Sequence, residues 1–315
     1  AGTDADYVIN DVGAVAWADP ATLFYVRVDE NHRPNRVFRH VLHSDPADDV
    51  LVYEETALRY FVSVGRSRSG AFIAINTGMN DENEVLVIPA DAPSTAPRIV
   101  EPRSEGIEYY LEHQEDQFLI ITNADDAVDF KIVSAPVATP SRANWVDVVP
   151  HEPGRMIIGL FAYRDWLIWM ERDNALPRIC FVRRGDDVAT ATQRVSFDEQ
   201  AYSLGSDPSP EYATDMFRFT YSSPTTPAQI FDYDLATDAR TLRKTVEIPS
   251  GHDPADYVTR RIMAPSHDGA EVPVTILHHK STPLDGSAPC LLYGYGSYGM
   301  SMPASFSGNR LSLVD

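Results

Sequence analysis

Cysteine is nearly missing from this chain. Two residues, Cys180 and Cys290, among 315 give no disulfide framework and no thiolate metal site. Both fall in apolar, strand-like stretches, so both are expected to be buried. Basic residues are also scarce, with 26 Lys and Arg against 46 Asp and Glu and a net charge of -20. That deficit argues against nucleic acid and anionic membranes as partners, because phosphates need cations to replace their counterions. It suits cationic partners where the acids line a cleft, and a solvated acidic surface otherwise. No apolar run approaches the roughly 20 residues that span a bilayer. The first ten residues, AGTDADYVIN, have neither a basic nor an apolar leader region. A cytoplasmic location is expected, or a periplasmic one if a leader had been removed. Long amphipathic helices are lacking too, and G-x-S-x-G occurs nowhere.

What is present is a repeat. Five segments resemble one another: TLFYV at Thr22, AFIAI at Ala71, QFLII at Gln117, WLIWM at Trp166 and MFRFT at Met216. They recur at 49, 46, 49 and 50 residues. Each follows a polar or glycine-containing turn and is flanked by further short apolar or alternating runs. In the first unit, strands are predicted over 13–18, 22–28, 36–42 and 50–54. Four strands in each period of this length mark a β-propeller blade. One twisted sheet cannot cover both its faces, so blades must stack and bury each other. A jelly roll or sandwich would not keep such a steady period.

The pattern changes after Gly251. Strands are predicted over 257–263 and 272–277, around a turn at Ser266-His267-Asp268-Gly269. A Pro/Gly/Ser loop follows, and then Cys290, Leu291 and Leu292, which read as a short buried strand of an α/β sheet. A second domain is therefore expected over 253–315, after blades over 1–252. The apolar strand runs into LLYGYGSYGM, whose glycines 294, 296 and 299 have dinucleotide-turn spacing. Asp315 stands nineteen residues past Gly296, near where a ribose-binding acid would be. A dinucleotide turn must open a helix, and Pro303 and Gly308 make 300–310 a poor one. Nor is this a nucleophile elbow, since Tyr295 stands where glycine is needed before Ser297. Two readings remain open: a tight turn with packed tyrosines, or a turn that presents a tyrosine hydroxyl to a developing oxyanion.

Taken together, blades, then APCLLYGYGSYG, then FSGNRLSLVD resemble the prolyl oligopeptidase family of serine peptidases, its oligopeptidase B branch above all. The likeness includes Tyr221 to Pro227 (YSSPTTP) with Phe231 to Asp234 (FDYD), and His267-Asp268-Gly269 with Val272-Pro273-Val274. The resemblance implies a propeller of about seven blades, some five of them present here, capping an α/β-hydrolase domain whose first strands follow. It implies peptide hydrolysis by a Ser-His-Asp triad in an enclosed cavity. Tyr295 matches the family's oxyanion-hole tyrosine, and Tyr298 the aromatic that lines its substrate pocket. Short basic peptides, cut after Arg or Lys, are the implied substrates, with no cofactor or metal. The family's serine, aspartate and histidine fall later than residue 315, so the chain reads as an inner piece of a protein of roughly 700 residues, inactive alone. Pro303 and Ser305 stand where close relatives carry acids. The rival readings are a non-catalytic propeller that binds peptides or proteins, and an acylaminoacyl-peptidase on the same scaffold.

Other constellations read as structural. His32, His40 and His43 would need a converging carboxylate to hold a metal. His278 and His279 are adjacent and point to opposite faces of a strand. The acid runs 45–49 and 81–84 are expected to be solvated turn tips, and the four tryptophans to pack in strands between blades.

Overall fold

The structure is a computed structural model that describes residues 9–297 and 300–315. It is mainly β, with five four-stranded antiparallel sheets. Blade 1 holds strands Val12–Trp17, Thr22–Val28, Pro34–Val41 and Val50–Glu54. Blade 2 holds Phe61–Arg66, Phe72–Gly78, Asn83–Pro89 and Arg98–Ile99, and blade 3 holds Tyr109–Gln114, Gln117–Thr122, Lys131–Pro136 and Val146–Val149. Blade 4 holds Arg155–Ala162, Trp166–Asp173, Leu176–Arg183 and Gln193–Arg194. Blade 5 holds Ser203–Ser206, Met216–Ser222, Gln229–Asp234 and Ala239–Thr245. In each blade neighbouring strands are neighbours in sequence. The five repeated segments lie in the second strand of each blade, one of the two inner strands that have a partner on both sides, which favours apolar residues there.

The cores lie between blades. Phe24, Val26 and Val37 of blade 1 meet Val62, Ile73 and Ile88 of blade 2. Val85 and Val87 on the other face of blade 2 meet Phe118 and Ile120 of blade 3. Leu119 and Ile132 meet Trp169 and Cys180 of blade 4, whose Ile168 and Phe181 in turn meet Phe217 and Phe219 of blade 5. In blades 2 to 4, alternation along the inner strands therefore serves two interfaces, one per face. A fully buried Val, Leu, Ile or Phe side chain contributes about 1.5–3 kcal/mol by area, and the inner strands supply several such side chains to each interface.

The turns sort by end. In an antiparallel meander, first-to-second and third-to-fourth turns fall at one end of the stack. Second-to-third turns and the links between blades fall at the other. The blade 4 hairpin at Asn174-Ala175 has φ of 51° and 60°, the two left-handed residues of a type I′ turn.

After blade 5, Tyr257–Pro265 and Glu271–His279 form a separate two-stranded hairpin. Its His278 is buried, and His279 on the opposite face is not. Three expectations need correction. Cys290, Leu291 and Leu292 form no strand and are exposed, because no described strand lies beside them to pair with. Gly308–Val314 is a helix: Ser307 caps it by accepting from the Arg310 N–H, and Gly308 occupies the first turn, where its missing side chain costs little. Trp145 closes a short turn rather than lying in a strand, and Trp17 is 43% exposed on the outer face of blade 1.

Candidate functional site: the junction at the end of the blade stack

The turn Tyr221–Pro227 joins the second and third strands of blade 5. Ser223 Oγ accepts from the N–H groups of Thr225 at 3.2 Å and Thr226 at 2.9 Å, a serine-stabilised turn that Pro224 and Pro227 stiffen. Glu199, from the link into blade 5, accepts from the Tyr221 hydroxyl and from Thr226 Oγ1, both at 2.8 Å. Burial, followed by this carboxylate, pushes the Tyr221 hydroxyl well above its ordinary range.

The outer side of the turn holds the segment that follows the blades. The Thr225 carbonyl meets a ring nitrogen of His252 at 2.6 Å, and Ser222 Oγ accepts from the Phe306 N–H at 2.9 Å. The His252 ring stacks on Tyr257 and meets Phe306 edge-on. Tyr257 in turn donates to Asp315 at 2.7 Å. A second tie runs from the Arg261 guanidinium to the Asn174 carbonyl in the blade 4 hairpin turn. Residues 252–315 thus grip the stack at the end that carries the second-to-third turns.

Tyr295 lies past the hairpin, in a stretch with no helix or strand, and is half exposed. A side chain added at Gly294 or Gly296 would meet nothing within 4 Å, so the described neighbours alone do not demand glycine there. Tyr298 and Gly299 lie outside the described residues. Ser266, His267 and Asp268 form a local turn. There the His267 ring is 3.4 Å from Ser266 Oγ, and the Asp268 carboxylate accepts from the Ala270 N–H. That is turn chemistry and not a proton relay.

The same end of the stack holds a polar network that sequence reading missed. Glu55 accepts from Thr77 Oγ1 at 2.8 Å, from Arg103 at 3.0 Å and from the Ala57 N–H at 2.9 Å. Burial pushes its carboxyl up, but these hydrogen bonds outweigh burial and hold it below its ordinary range. The Arg103 guanidinium lies 3.5 Å from the centre of the Tyr60 ring, and the Tyr60 hydroxyl donates to buried Glu82 at 2.5 Å. Glu82 and Asp49 belong to the acid runs expected at solvated tips. Asp49 is instead buried against the His40 ring at 2.7 Å and the Tyr25 hydroxyl at 2.8 Å. Turns fold back against strands of their own blade and the link into it, so acids in a turn need not face water. A tyrosine about half a period away, 24 residues before Asp49 and 22 before Glu82, was the available signal.

A family description, "Prolyl oligopeptidase, N-terminal beta-propeller domain", matches residues 3–246. "Dipeptidyl aminopeptidase BI" of Pseudoxanthomonas mexicana is 38% identical over 313 residues, which cover 98% of this chain and 42% of that protein. "Protease 2" of Moraxella lacunata is 31% identical over 293 residues, covering 93% and 41%. The chain therefore spans about two-fifths of the length of these relatives. Among solved structures, oligopeptidase B from Trypanosoma brucei with covalently bound antipain, in its closed form, superposes with a TM-score of 0.88 at 28% identity, over 96% of this chain and 44% of that one. Oligopeptidase B from Leishmania major gives 0.88 at 29%, over 96% and 43%. Five stacked four-stranded blades, the junction that follows them and these matches together place the chain in the prolyl oligopeptidase family of serine peptidases.

Proposed function

We propose that the whole protein hydrolyses short peptides as a cytoplasmic serine oligopeptidase, and that residues 253–315 begin its α/β-hydrolase domain. The blades restrict access to the site. Tyr295 donates its hydroxyl to the oxyanion of the tetrahedral intermediate, and Tyr298 lines the substrate pocket. A net charge of -20 fits basic peptides, cut after Arg or Lys. The observation that carries the reading is the junction. The segment bearing the Tyr-Gly turn is tied through His252 and Phe306 to the last blade, in a chain that superposes on inhibitor-bound oligopeptidase B.

The test is Tyr295→Phe in the full-length protein. Loss of one oxyanion donor lowers kcat by about a hundredfold or more while KM is spared. An unchanged kcat removes Tyr295 from the mechanism. A second reading has its own support, because the 38% identical relative is named a dipeptidyl aminopeptidase. Peptides with a blocked N-terminus separate the two. Cleavage after an internal Arg favours the first reading, and release of dipeptides only from a free N-terminus favours the second.

A further inference from the structure

The connection between the first two strands is short in four blades, at four residues in blade 1, five in blade 2, two in blade 3 and three in blade 4. In blade 5 the same connection, 207–215, has nine residues. It does not stay over its own blade. The Arg164 N–H, in the corresponding turn of blade 4, donates to the Tyr212 carbonyl at 3.0 Å. The Tyr212 hydroxyl donates to Glu115 Oε1 at 3.0 Å and accepts from the Glu115 N–H at 3.2 Å, in the turn of blade 3. The Ser209 carbonyl accepts from the guanidinium of Arg68, in the turn of blade 2. At its own root, Asp215 accepts from Trp166 Nε1 at 2.7 Å.

Beneath this segment residues of blades 3 and 4 converge on one side chain of blade 2. The Arg68 guanidinium stands 5.8 Å and 5.5 Å from the ring centres of Phe161 and Tyr163 of blade 4, and 4.0 Å from the Glu112 carboxylate on the first strand of blade 3. The first strands of neighbouring blades approach one another, blade 1 against blade 2 and blade 3 against blade 4, so they surround the axis of the stack. First-to-second turns lie at the end remote from the junction with residues 252–315.

We propose that 207–215 is a strap that closes the axial channel at that remote end, latched by Arg68 on the Ser209 carbonyl and by Tyr212 on Glu115. Peptides then reach the interior from the junction side and not along the axis. The inference rests on the peptidase reading only for its functional readout.

The experiment uses the full-length protein with Arg68→Ala, Tyr212→Phe and the pair of them. Three quantities are compared: hydrolysis of a short reporter peptide, hydrolysis of a long unstructured polypeptide, and hydrogen exchange at the amides of Glu115 and Arg164. Expected are protected amides in the parent, exchange faster by roughly tenfold or more in the double variant, which is the factor that one charge-assisted hydrogen bond is worth, and a comparable gain on the long polypeptide with the short peptide little changed. Unprotected amides in the parent overturn the strap. So does faster exchange with no gain on the long polypeptide. Failure to cut even the short peptide overturns the peptidase reading instead, and the amides still decide the strap. Tyr212→Phe removes one hydroxyl, so it tests the latch even if Arg68→Ala fails to fold.

Discussion

Glu112→Gln should stabilise this protein above neutral pH and do little in acid. The Glu112 side chain is 20% exposed on the first strand of blade 3, beneath the strap. Burial pushes its carboxyl up to about 7 from an ordinary 4.5, and Arg68 at 4.0 Å offsets only part of that. A carboxyl whose pKa is raised in the fold contributes stability that is complete below the unfolded value and is lost as pH climbs through the folded one. The window is therefore 4.5 to 7. At about 1.4 kcal/mol per pH unit, ionised Glu112 costs the fold on the order of 3 kcal/mol above that window. Glutamine keeps the shape and has no charge to bury. In scanning calorimetry of the full-length protein, the propeller transition of Glu112→Gln should rise above the parent's by roughly 6–12 °C well above pH 7, and the gap should close below 4.5. A gap that ignores pH would show that shape and not ionisation is at work. A variant less stable than the parent at high pH would show that the Arg68 pairing outweighs desolvation, and the reasoning would be wrong.

Other perturbations test other parts of the fold. Phe118→Ala, which empties the interface of blades 2 and 3 beside Phe72, should cost about 3–5 kcal/mol in denaturant unfolding. Ala175→Gly should stabilise by up to about 1 kcal/mol, since φ of 60° suits glycine better than alanine, and an unchanged or lower midpoint would argue against that strain. The Cys180 thiol, pushed up to about 12 chiefly by burial and then by Glu171, should resist alkylation in the native protein at neutral pH and react only after denaturation, read by intact mass.

The period of the blades was legible because burial imposes it: a central strand must be apolar, and TLFYV, AFIAI, QFLII, WLIWM and MFRFT are. The strand limits of blade 1 were likewise readable from alternation and turn residues. What could not be read were partnerships made across the period. Glu55, Glu82 and Asp49 look like surface acids until Arg103, Tyr60 and His40 come up against them from elsewhere in the sheet or from the next blade. The strap reads as an ordinary polar loop, DPSPEYATD, and nothing local says that Tyr212 reaches Glu115, 97 residues away. The Tyr-Gly turn was found through resemblance to a family, since spacing alone also fitted a nucleotide site. Cys290 to Leu292 were misread because an apolar run becomes a strand only where another strand lies beside it.

Cores placed between blades also set an order of assembly. The second strands of adjacent blades begin 45 to 50 residues apart, so each interface needs only two neighbouring repeats and little loop-closure entropy. A chain leaving the ribosome can seat every new blade on the one before it, without waiting for its far end. Arg68 and Ser209 break that rule at 141 residues apart. Their contact can form only after blades 2 to 5 are stacked, so the strap reports that the stack has been built.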